Sequence, residues 1–335
     1  MKKGLKTKTY ESFGGSILNA VVSFFDLIIG SFQKLFGIKG MPYFFVLPNL
    51  LIFGIFILFP MLLNFVYAFT GGPSFFPEDR PYVGTENFER LFDCENIMLP
   101  NTCQEDLFWR SVHNTITFVI IQVVLMVLFA LITALILNRK LKWRGFFRSV
   151  FFYPCLLSPI VVGLIWKWIL MDSGVLNGIL ISLGFSKIPF LTDATWARFW
   201  VINVSVWASM GFYTLILLAG LQSIPMDLYE AASIDGASKW KAFSSITLPL
   251  LMPTMTVVIV LALIRAVQVF EIVYAFTGGG PGTATLYLVH FIYNYGFTSP
   301  NKQFGIAAAA SLLMAGVLIV LTLAQMAARR EESYA

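Results

Sequence analysis

The chain has 335 residues, of which 58% are hydrophobic and 12% are charged, and it contains 33 phenylalanines. Soluble domains are roughly 45–50% apolar and about 25% charged, so this composition excludes a soluble protein and indicates an integral membrane protein. The net charge of +5 does not indicate nucleic-acid binding, because Lys and Arg in a membrane protein report orientation. Three cysteines are too few for a disulfide scaffold, and no Cys/His cluster predicts a metal site.

The first predicted helix covers residues 16–38 and carries one polar stripe on an otherwise apolar surface. Its polar positions recur at steps of four and three: Asn19, Ser23, Asp26, Gly30 and Gln33. This spacing favours an amphipathic helix in the membrane interface, within a cytoplasmic or interfacial segment 1–41. The alternative is an extra spanning helix, which would put the N-terminal lysines on the opposite side from the other basic segments.

Six further segments are long and apolar enough to cross a hydrocarbon core of ~30 Å as helices. The predicted spans lie near residues 42–70, 113–138, 149–171, 199–221, 251–276 and 304–328. They form one transmembrane domain over residues 42–330, followed by a tail at 331–335. The links on one side carry fifteen Lys and Arg residues and those on the other carry six. The positive-inside rule therefore places both termini and residues 222–253 in the cytoplasm.

The longest outer loop, residues 71–110, is acidic and contains two of the three cysteines. Eight residues separate Cys94 from Cys103. A disulfide bond between them is sterically reasonable in an oxidising compartment, and two unpaired thiols are the alternative.

Residues 222–253 interrupt the apolar chain with a polar segment that predicts a helix–turn–helix. Ser223 is a suitable N-cap and Pro225 suits the first turn. Gly236 can adopt the left-handed conformation that ends the helix. A second short helix is expected to run until Pro249 and Pro253 interrupt it.

The first of these two helices has a polar face made by Asp227, Glu230 and Ser233, which recur at steps of three. Apolar residues cover the opposite face. A two-faced helix held outside the membrane predicts a docking partner in the cytoplasm.

Polar side chains inside the spans indicate a solute pathway or a partner contact, because burying them in lipid is costly. Arg265 lies about 21 Å into the fifth span, too deep for an easy exit to the interface. Gln268 and Glu271 follow at steps of three on the same winding face. These residues predict either a strip that meets a polar or anionic solute, or an arginine satisfied by backbone carbonyls or by an acid of a neighbouring subunit.

The second and fourth spans add side chains suited to sugars, since aromatic rings stack on sugar faces and amides or hydroxyls bond to their OH groups. The candidates are Gln122, Asn203, Ser205, Trp207, Ser209 and Tyr213. Aromatic residues are also common at membrane interfaces, which is the alternative explanation for the rings.

No nucleotide site is predicted. The glycine-rich run from Gly278 to Gly282 lacks the Lys-Ser/Thr ending of a phosphate-binding loop and is expected to be a turn. The chain is therefore expected to bind no cofactor and to hydrolyse no nucleotide.

The polar segment resembles the EAA signature of ABC-importer permeases, in the MalF-type carbohydrate branch of type I importers. The matching residues are Glu230-Ala231-Ala232, Asp235-Gly236-Ala237 and Ile246-Thr247-Leu248-Pro249. The Arg-Gly-x-x-x-Arg run from Arg144 to Arg148 is also similar. The likeness covers roughly residues 42–330.

The resemblance implies an all-α integral membrane protein: a six-span type I permease core, here with an N-terminal amphipathic interfacial helix, in the cell inner membrane. It implies a second EAA-type permease, a homo- or heterodimer of ATPase subunits that carry the ATP and Mg, and an extracytoplasmic solute-binding protein. The loop 222–250 would couple to the ATPases. Its coupling residues by this resemblance are Asp227, Glu230, Ala231, Ala232, Asp235, Gly236, Ala237 and Pro249.

In the sugar branch the solute contacts come from the spans on either side of the coupling loop. By position these fall near Ser205, Ser209, Phe212, Ala266, Gln268 and Val269. Together with Arg265 and Glu271 they suggest the hypothesis of an acidic, uronate-containing oligosaccharide.

Two other classes compete with an importer permease. An ion-coupled secondary transporter would need paired carboxylates near the bilayer midplane, and Glu271 is the only acid in the last four spans. A membrane enzyme would need a clustered catalytic site, which the sequence does not indicate.

Overall fold

The structure is a computed structural model that describes Ser23, Gly30, Gln33, residues 37–139 and residues 142–332, without the side chains of 328–332. The predicted interfacial helix 16–38 therefore lies almost entirely outside the described residues, and so do the last three residues of the tail. The described part contains helices and turns, two isolated β-bridges and no strand.

Twelve helices can be named in the described part of the chain. In chain order they are α1 (Gly37–Ala68), α2 (Glu86–Phe92), α3 (Asp106–Asn138), α4 (Arg144–Phe152), α5 (Pro159–Leu170), α6 (Val175–Ser182), α7 (Ala194–Gln222), α8 (Met226–Ile234), α9 (Lys239–Val267), α10 (Glu271–Phe276), α11 (Leu288–Tyr293) and α12 (Phe304–Glu332). Six helical segments are long and apolar enough to cross a membrane: α1, α3, α5 with α6, α7, α9 and the Phe304–Ala327 part of α12. The prediction of an all-α, six-span membrane protein is confirmed.

The chain divides into two compact units, Met1–Asn64 and Phe65–Ala335. In the first unit, the described residues from Gly37 onward belong to the apolar helix α1. The second unit holds the other spans and the candidate site.

The core of the second unit forms where α3, α7 and α9 pack side by side. On α3 the buried residues recur at steps of three and four, among them Thr115, Phe118, Gln122, Met126 and Ala130. This spacing keeps one stripe of the helix against its neighbours while the other faces stay available to lipid. A second core cluster joins α2, the start of α3, α11 and the start of α12.

The third span differs from the prediction of one helix over 149–171. Helix α4 ends at Phe152, a 3₁₀ turn covers Tyr153–Leu156, and α5 begins at Pro159. Proline disfavours the helical conformation of the residue before it and suits the first helical position. Ser158 is accordingly extended, with ψ of 134°, and the spanning segment runs instead over Pro159–Ser182, where it is made of α5 and α6.

The fifth span is also not the continuous helix predicted over 251–276. Helix α9 ends at Val267, residues 268–270 leave the helical conformation, and α10 starts at Glu271. Helix α10 packs closely on α5, because a Cβ at Gly163 would lie 2.8 Å from the Ile272 carbonyl oxygen. Only glycine permits this approach, and the contact fixes α10 in a position that a straight continuation of α9 does not provide.

The start of α9 corrects the expectation that Pro249 and Pro253 end a separate short helix, since both lie within α9. The helix continues through Pro249 because a π-helical turn, Phe243–Thr247, precedes it. Proline lacks an N–H and its ring clashes with the carbonyl four residues earlier, and the wider π turn accommodates both effects.

Candidate functional site

A cavity of about 430 Å³ lies among α3, α5, α7, the end of α9 and residues 268–272. Gln122, the middle residue of α3, lines it, and so does Ser209, one residue past the middle of α7. The cavity therefore sits halfway along the spanning helices, the depth at which membrane transporters bind their solutes. The interrupted backbone at 268–270 faces this cavity, which is where non-helical backbone is tolerated inside a membrane.

Arg265 reaches the cavity from the last turn of α9. Its guanidinium lies 5.6 Å from the centre of the Phe212 ring, close enough for a cation–π contact. Among the described residues it makes no hydrogen bond and has no carboxylate within 4.0 Å; in particular, it forms no ion pair with Glu271. The cavity thus contains a cation whose N–H groups are available to a solute.

Two further polar atoms in the cavity wall have no partner in the described structure. They are Gln122 Oε1 and Ser205 Oγ, in residues that are only 7% and 4% exposed. Buried polar atoms are normally hydrogen-bonded, so unsatisfied ones at a cavity indicate a place for a hydroxyl-bearing ligand or water. An amide, a hydroxyl and a guanidinium around one cavity match the hydrogen-bonding groups of a saccharide.

The structure brings most of the predicted pathway residues to this one cavity. Ser205, Ser209, Arg265, Gln268 and Glu271 all line it. The lining is thus shared between α7, the last turn of α9 and the interrupted segment that follows it.

Phe212 and Trp207 lie outside that lining. Phe212 lies beneath Arg265 and lines a smaller adjoining cavity. Trp207 lies elsewhere, with its ring centre 5.6 Å from that of Trp166. Since Trp207 is two residues from both Ser205 and Ser209, it points about 200° away from them around the helix.

Sequence reasoning missed two aromatic residues of the cavity, Phe118 and Phe270. Phe118 lies four residues before Gln122 on α3, and residues at this spacing share one face of a helix. The sequence therefore could have predicted that Phe118 faces the same side as Gln122. Phe270 lies in the interrupted segment and carried no comparable signal. Its ring contacts those of Tyr274 and Tyr293 at 5.4 and 4.9 Å, so the cavity wall continues into an aromatic cluster.

In the polar segment 222–253, helix α8 has its N-cap two positions later than predicted. Pro225 is the N-cap and Ser223 instead ends α7. Gly236 has φ of +75°, Ala237 N–H donates to the Ala232 carbonyl at 2.9 Å, and Gly236 N–H donates to Ser233 at 3.2 Å. This pair of bonds is the Schellman arrangement that closes a helix with a left-handed glycine.

Helix α8 offers its surface to solvent rather than to the rest of the chain, since none of its residues is buried. Ile234 is 86% exposed and Trp240, just beyond the turn, is 75% exposed. A 2.9 Å hydrogen bond between the hydroxyls of Tyr229 and Thr247 joins α8 to α9. Large apolar residues exposed beside Asp227 and Glu230 make a surface suited to a protein partner.

The loop 71–110 is fixed by covalent and ionic contacts. A disulfide bond joins Cys94 to Cys103. Arg90 forms a 2.6 Å ion pair with Glu105, and the Tyr295 hydroxyl donates to the other carboxylate oxygen of Glu105 at 2.8 Å. Burial, followed by the hydrogen bond to Glu105, raises the pKa of Tyr295, so its hydroxyl keeps the proton it donates.

Comparison with known proteins places this geometry in a family. Residues 126–332 match the family described as binding-protein-dependent transport system inner membrane component. The chain is 37% identical to the trehalose/maltose transport system permease protein MalF of Thermococcus litoralis, over 84% of this chain and 90% of that protein. It is 32% identical to the lactose transport system permease protein LacF of Rhizobium radiobacter, over 90% of this chain and 97% of that protein.

Two solved structures resemble the fold across most of its length. One is a bacterial ABC transporter involved in import of the acidic polysaccharide alginate, with 27% identity, a TM-score of 0.74, and coverage of 90% of this chain and 99% of that chain. The other is a bacterial alginate ABC transporter in complex with an alginate pentasaccharide-bound periplasmic protein, with 27% identity, a TM-score of 0.72, and coverage of 88% and 95%.

The family match covers more than half of the chain, and the matched relatives are named as sugar transport permeases. These matches identify the family of the chain, and its six membrane-length helices and the polar cavity midway along them agree with that family. It belongs to the binding-protein-dependent transport system inner membrane components and is a permease subunit of a carbohydrate ABC importer.

Proposed function

We propose that this permease carries an acidic oligosaccharide, one that contains uronate residues, through the cavity around Arg265. The observation that carries the proposal is the guanidinium of Arg265, which has no carboxylate or hydrogen-bond partner among the described residues and faces the cavity. A sugar carboxylate can accept two parallel hydrogen bonds from a guanidinium, which a neutral sugar hydroxyl cannot do.

The remaining cavity residues suit the neutral part of such a ligand. Gln122 and Ser205 supply unsatisfied polar atoms, and Phe270 supplies a ring against which a sugar face can pack. The two solved relatives that are described as alginate transporters support the acidic assignment. The relatives named for trehalose, maltose and lactose support the competing assignment, which is a neutral sugar.

Transport is proposed to be driven by ATP on partner subunits, with α8 as the docking element. The polar face of α8 includes Asp227 and Glu230, and its last turn is closed by Gly236. A rigid, exposed helix can transmit movement of an ATPase to the spans that flank it, α7 and α9. In this arrangement both termini and the coupling segment are cytoplasmic, and the ATP and Mg are bound by the ATPases.

The other partners of the proposed assembly are a second EAA-type permease and an extracytoplasmic solute-binding protein. The binding-protein partner is supported by the family description and by the solved alginate transporter that contains such a protein.

The energy source is tested by reconstituting the permease with its candidate partners in proteoliposomes loaded with ATP or with ADP. We expect uptake of a labelled uronate oligosaccharide with ATP and none with ADP, because the chain depends on its partners for energy. Dissipating proton and sodium gradients should leave the ATP-driven uptake unchanged. Uptake that persists with ADP and disappears with the gradients would instead identify an ion-coupled transporter.

A further inference from the structure

Two arginines at one end of the spanning helices converge on a single side chain. Arg144 and Arg148 lie four residues apart on α4, so they share one face of that helix. Their common neighbour is Gln222, the last residue of α7. With its amide oxygen turned towards them, Gln222 accepts from Nη2 of each arginine at 2.8 Å.

These two positive charges have no countercharge in the described part of the chain. Both Nη2 atoms contact the same oxygen, so they can be no farther apart than twice that distance. The two ion pairs among the described residues involve other arginines, and the Nε atoms of Arg144 and Arg148 are buried without a partner. Two guanidinium groups carry about ten N–H donors in total, and Gln222 offers them one oxygen. So many unpaired cationic donors in one place favour the binding of an anion.

The length of α7 fixes the depth of this cluster. The helix has 29 residues and is therefore about 43 Å long. A bilayer has a hydrocarbon core of ~30 Å and measures ~40–45 Å with its polar headgroup regions. Gln222, at the very end of α7, consequently lies at the level of the lipid phosphates.

The surroundings of the cluster fit a lipid surface better than a protein partner. The large aromatic side chains of Trp143, Phe146 and Phe147 are exposed beside the arginines. Aromatic rings at this depth are typical of the membrane interface. The basic link 139–148 adds positive charge, which favours anionic over zwitterionic lipids.

We infer that Arg144, Arg148 and Gln222 form a binding site for the phosphate of an anionic phospholipid headgroup. The guanidinium forks donate to the phosphodiester oxygens, and the side chain of Gln222 keeps the two forks together. A bound headgroup would fasten α4 to the end of α7, directly before the link to the coupling helix α8. This inference does not depend on the identity of the transported sugar.

The test measures lipid binding to the assembled importer by native mass spectrometry, with phosphatidylglycerol as the anionic probe and phosphatidylcholine as the zwitterionic one. We expect the wild type to retain phosphatidylglycerol preferentially. The double variant R144Q/R148Q should bind it about ten-fold more weakly, because the charged hydrogen bonds are lost. The matched control R139Q/K142Q removes two charges from the same link outside the cluster and should weaken binding much less, because only the general attraction of the link for anionic lipid is reduced.

A second variant keeps the test informative if the double glutamine variant fails to assemble. R144K/R148K preserves the charge but removes the fork geometry, and it should bind phosphatidylglycerol with intermediate strength. Equal retention of both lipids by the wild type, or equal loss in R139Q/K142Q, would overturn the site.

Two further outcomes would assign the cluster to another ligand and so overturn the lipid assignment. In one, inorganic phosphate binds in lipid-free detergent and displaces phosphatidylglycerol completely, which identifies a free-phosphate site. In the other, R144Q/R148Q binds the lipid normally but loses its ATPase subunits, which identifies a contact with acidic residues of the partner.

Discussion

Replacing Arg265 with glutamine is expected to reduce uptake of a uronate oligosaccharide by about 10–100-fold, because a hydrogen bond to a charged group contributes about 1.5–3 kcal/mol. Uptake of a neutral oligosaccharide of the same length should fall much less, since its hydroxyls can accept equally well from glutamine. The comparison is made with the assembled importer in proteoliposomes supplied with ATP. The physical basis is the position of Arg265, which faces the cavity without an acid beside it.

Two control variants distinguish a loss of substrate binding from a loss of structural support. Lys167 also lies in a spanning helix, but it does not line the cavity, so K167Q should leave uptake of both sugars largely unchanged. R265K keeps the charge without the fork and should retain part of the uronate uptake. Equal losses of acidic and neutral uptake in R265Q would show that Arg265 supports the structure and does not contact the sugar.

Replacing Gly236 with valine is expected to abolish ATP-driven uptake while the permease still inserts into the membrane. Gly236 has φ of +75°, a conformation that costs an ordinary residue roughly 1–2 kcal/mol and a β-branched one more. The closure of α8 would be lost, and with it the orientation of Glu230 on the docking face. ATPase co-purification and the ratio of sugar transported to ATP hydrolysed are the measurements.

The matched variants for this prediction are G236N and G178V. Asparagine tolerates the left-handed conformation better than other residues, so G236N should preserve most of the coupling. Gly178 lies on the exposed surface of α6, where an added side chain meets nothing, so G178V should transport normally. Wild-type coupling in G236V would mean that the turn after α8 is not part of the coupling machinery.

The spans and the helix–turn at 222–253 were predictable because each depends on local sequence. Apolar length defines the six spanning segments, and the left-handed turn at Gly236 follows from the glycine. The break before Pro159 was also readable, since Pro154 and Pro159 both interrupt the proposed third span. Hydrophobicity alone does not reveal this break, because the residues on both sides of it are apolar.

The interruption between α9 and α10 could not be predicted from its own residues. No proline or glycine lies between Arg265 and Phe276, and the run is apolar enough for one continuous helix. The break accompanies a tertiary contact made possible by Gly163, about a hundred residues earlier in the chain. Gln268 and Glu271 reach the cavity by way of this break, and not along one helical face as predicted.

Helical geometry, in contrast, predicts which of the candidate residues on α7 share a face. Ser205 and Ser209 are four residues apart and share a face, and Trp207 between them faces the other way. The structure accordingly places the two serines in the cavity and Trp207 against Trp166. Composition suggested a sugar-binding ring at Trp207, but the periodicity of the helix excluded it.

The most direct test of the acidic substrate compares a uronate oligosaccharide with its carboxyl-reduced form, which has the same length and linkage but no charge. Both are offered to the wild-type importer in proteoliposomes with ATP and its solute-binding protein. The unpaired Arg265 in the cavity predicts that the acidic form is transported at least about ten-fold faster at low concentration. Equal transport of the two forms, or faster transport of the reduced one, would contradict the assignment.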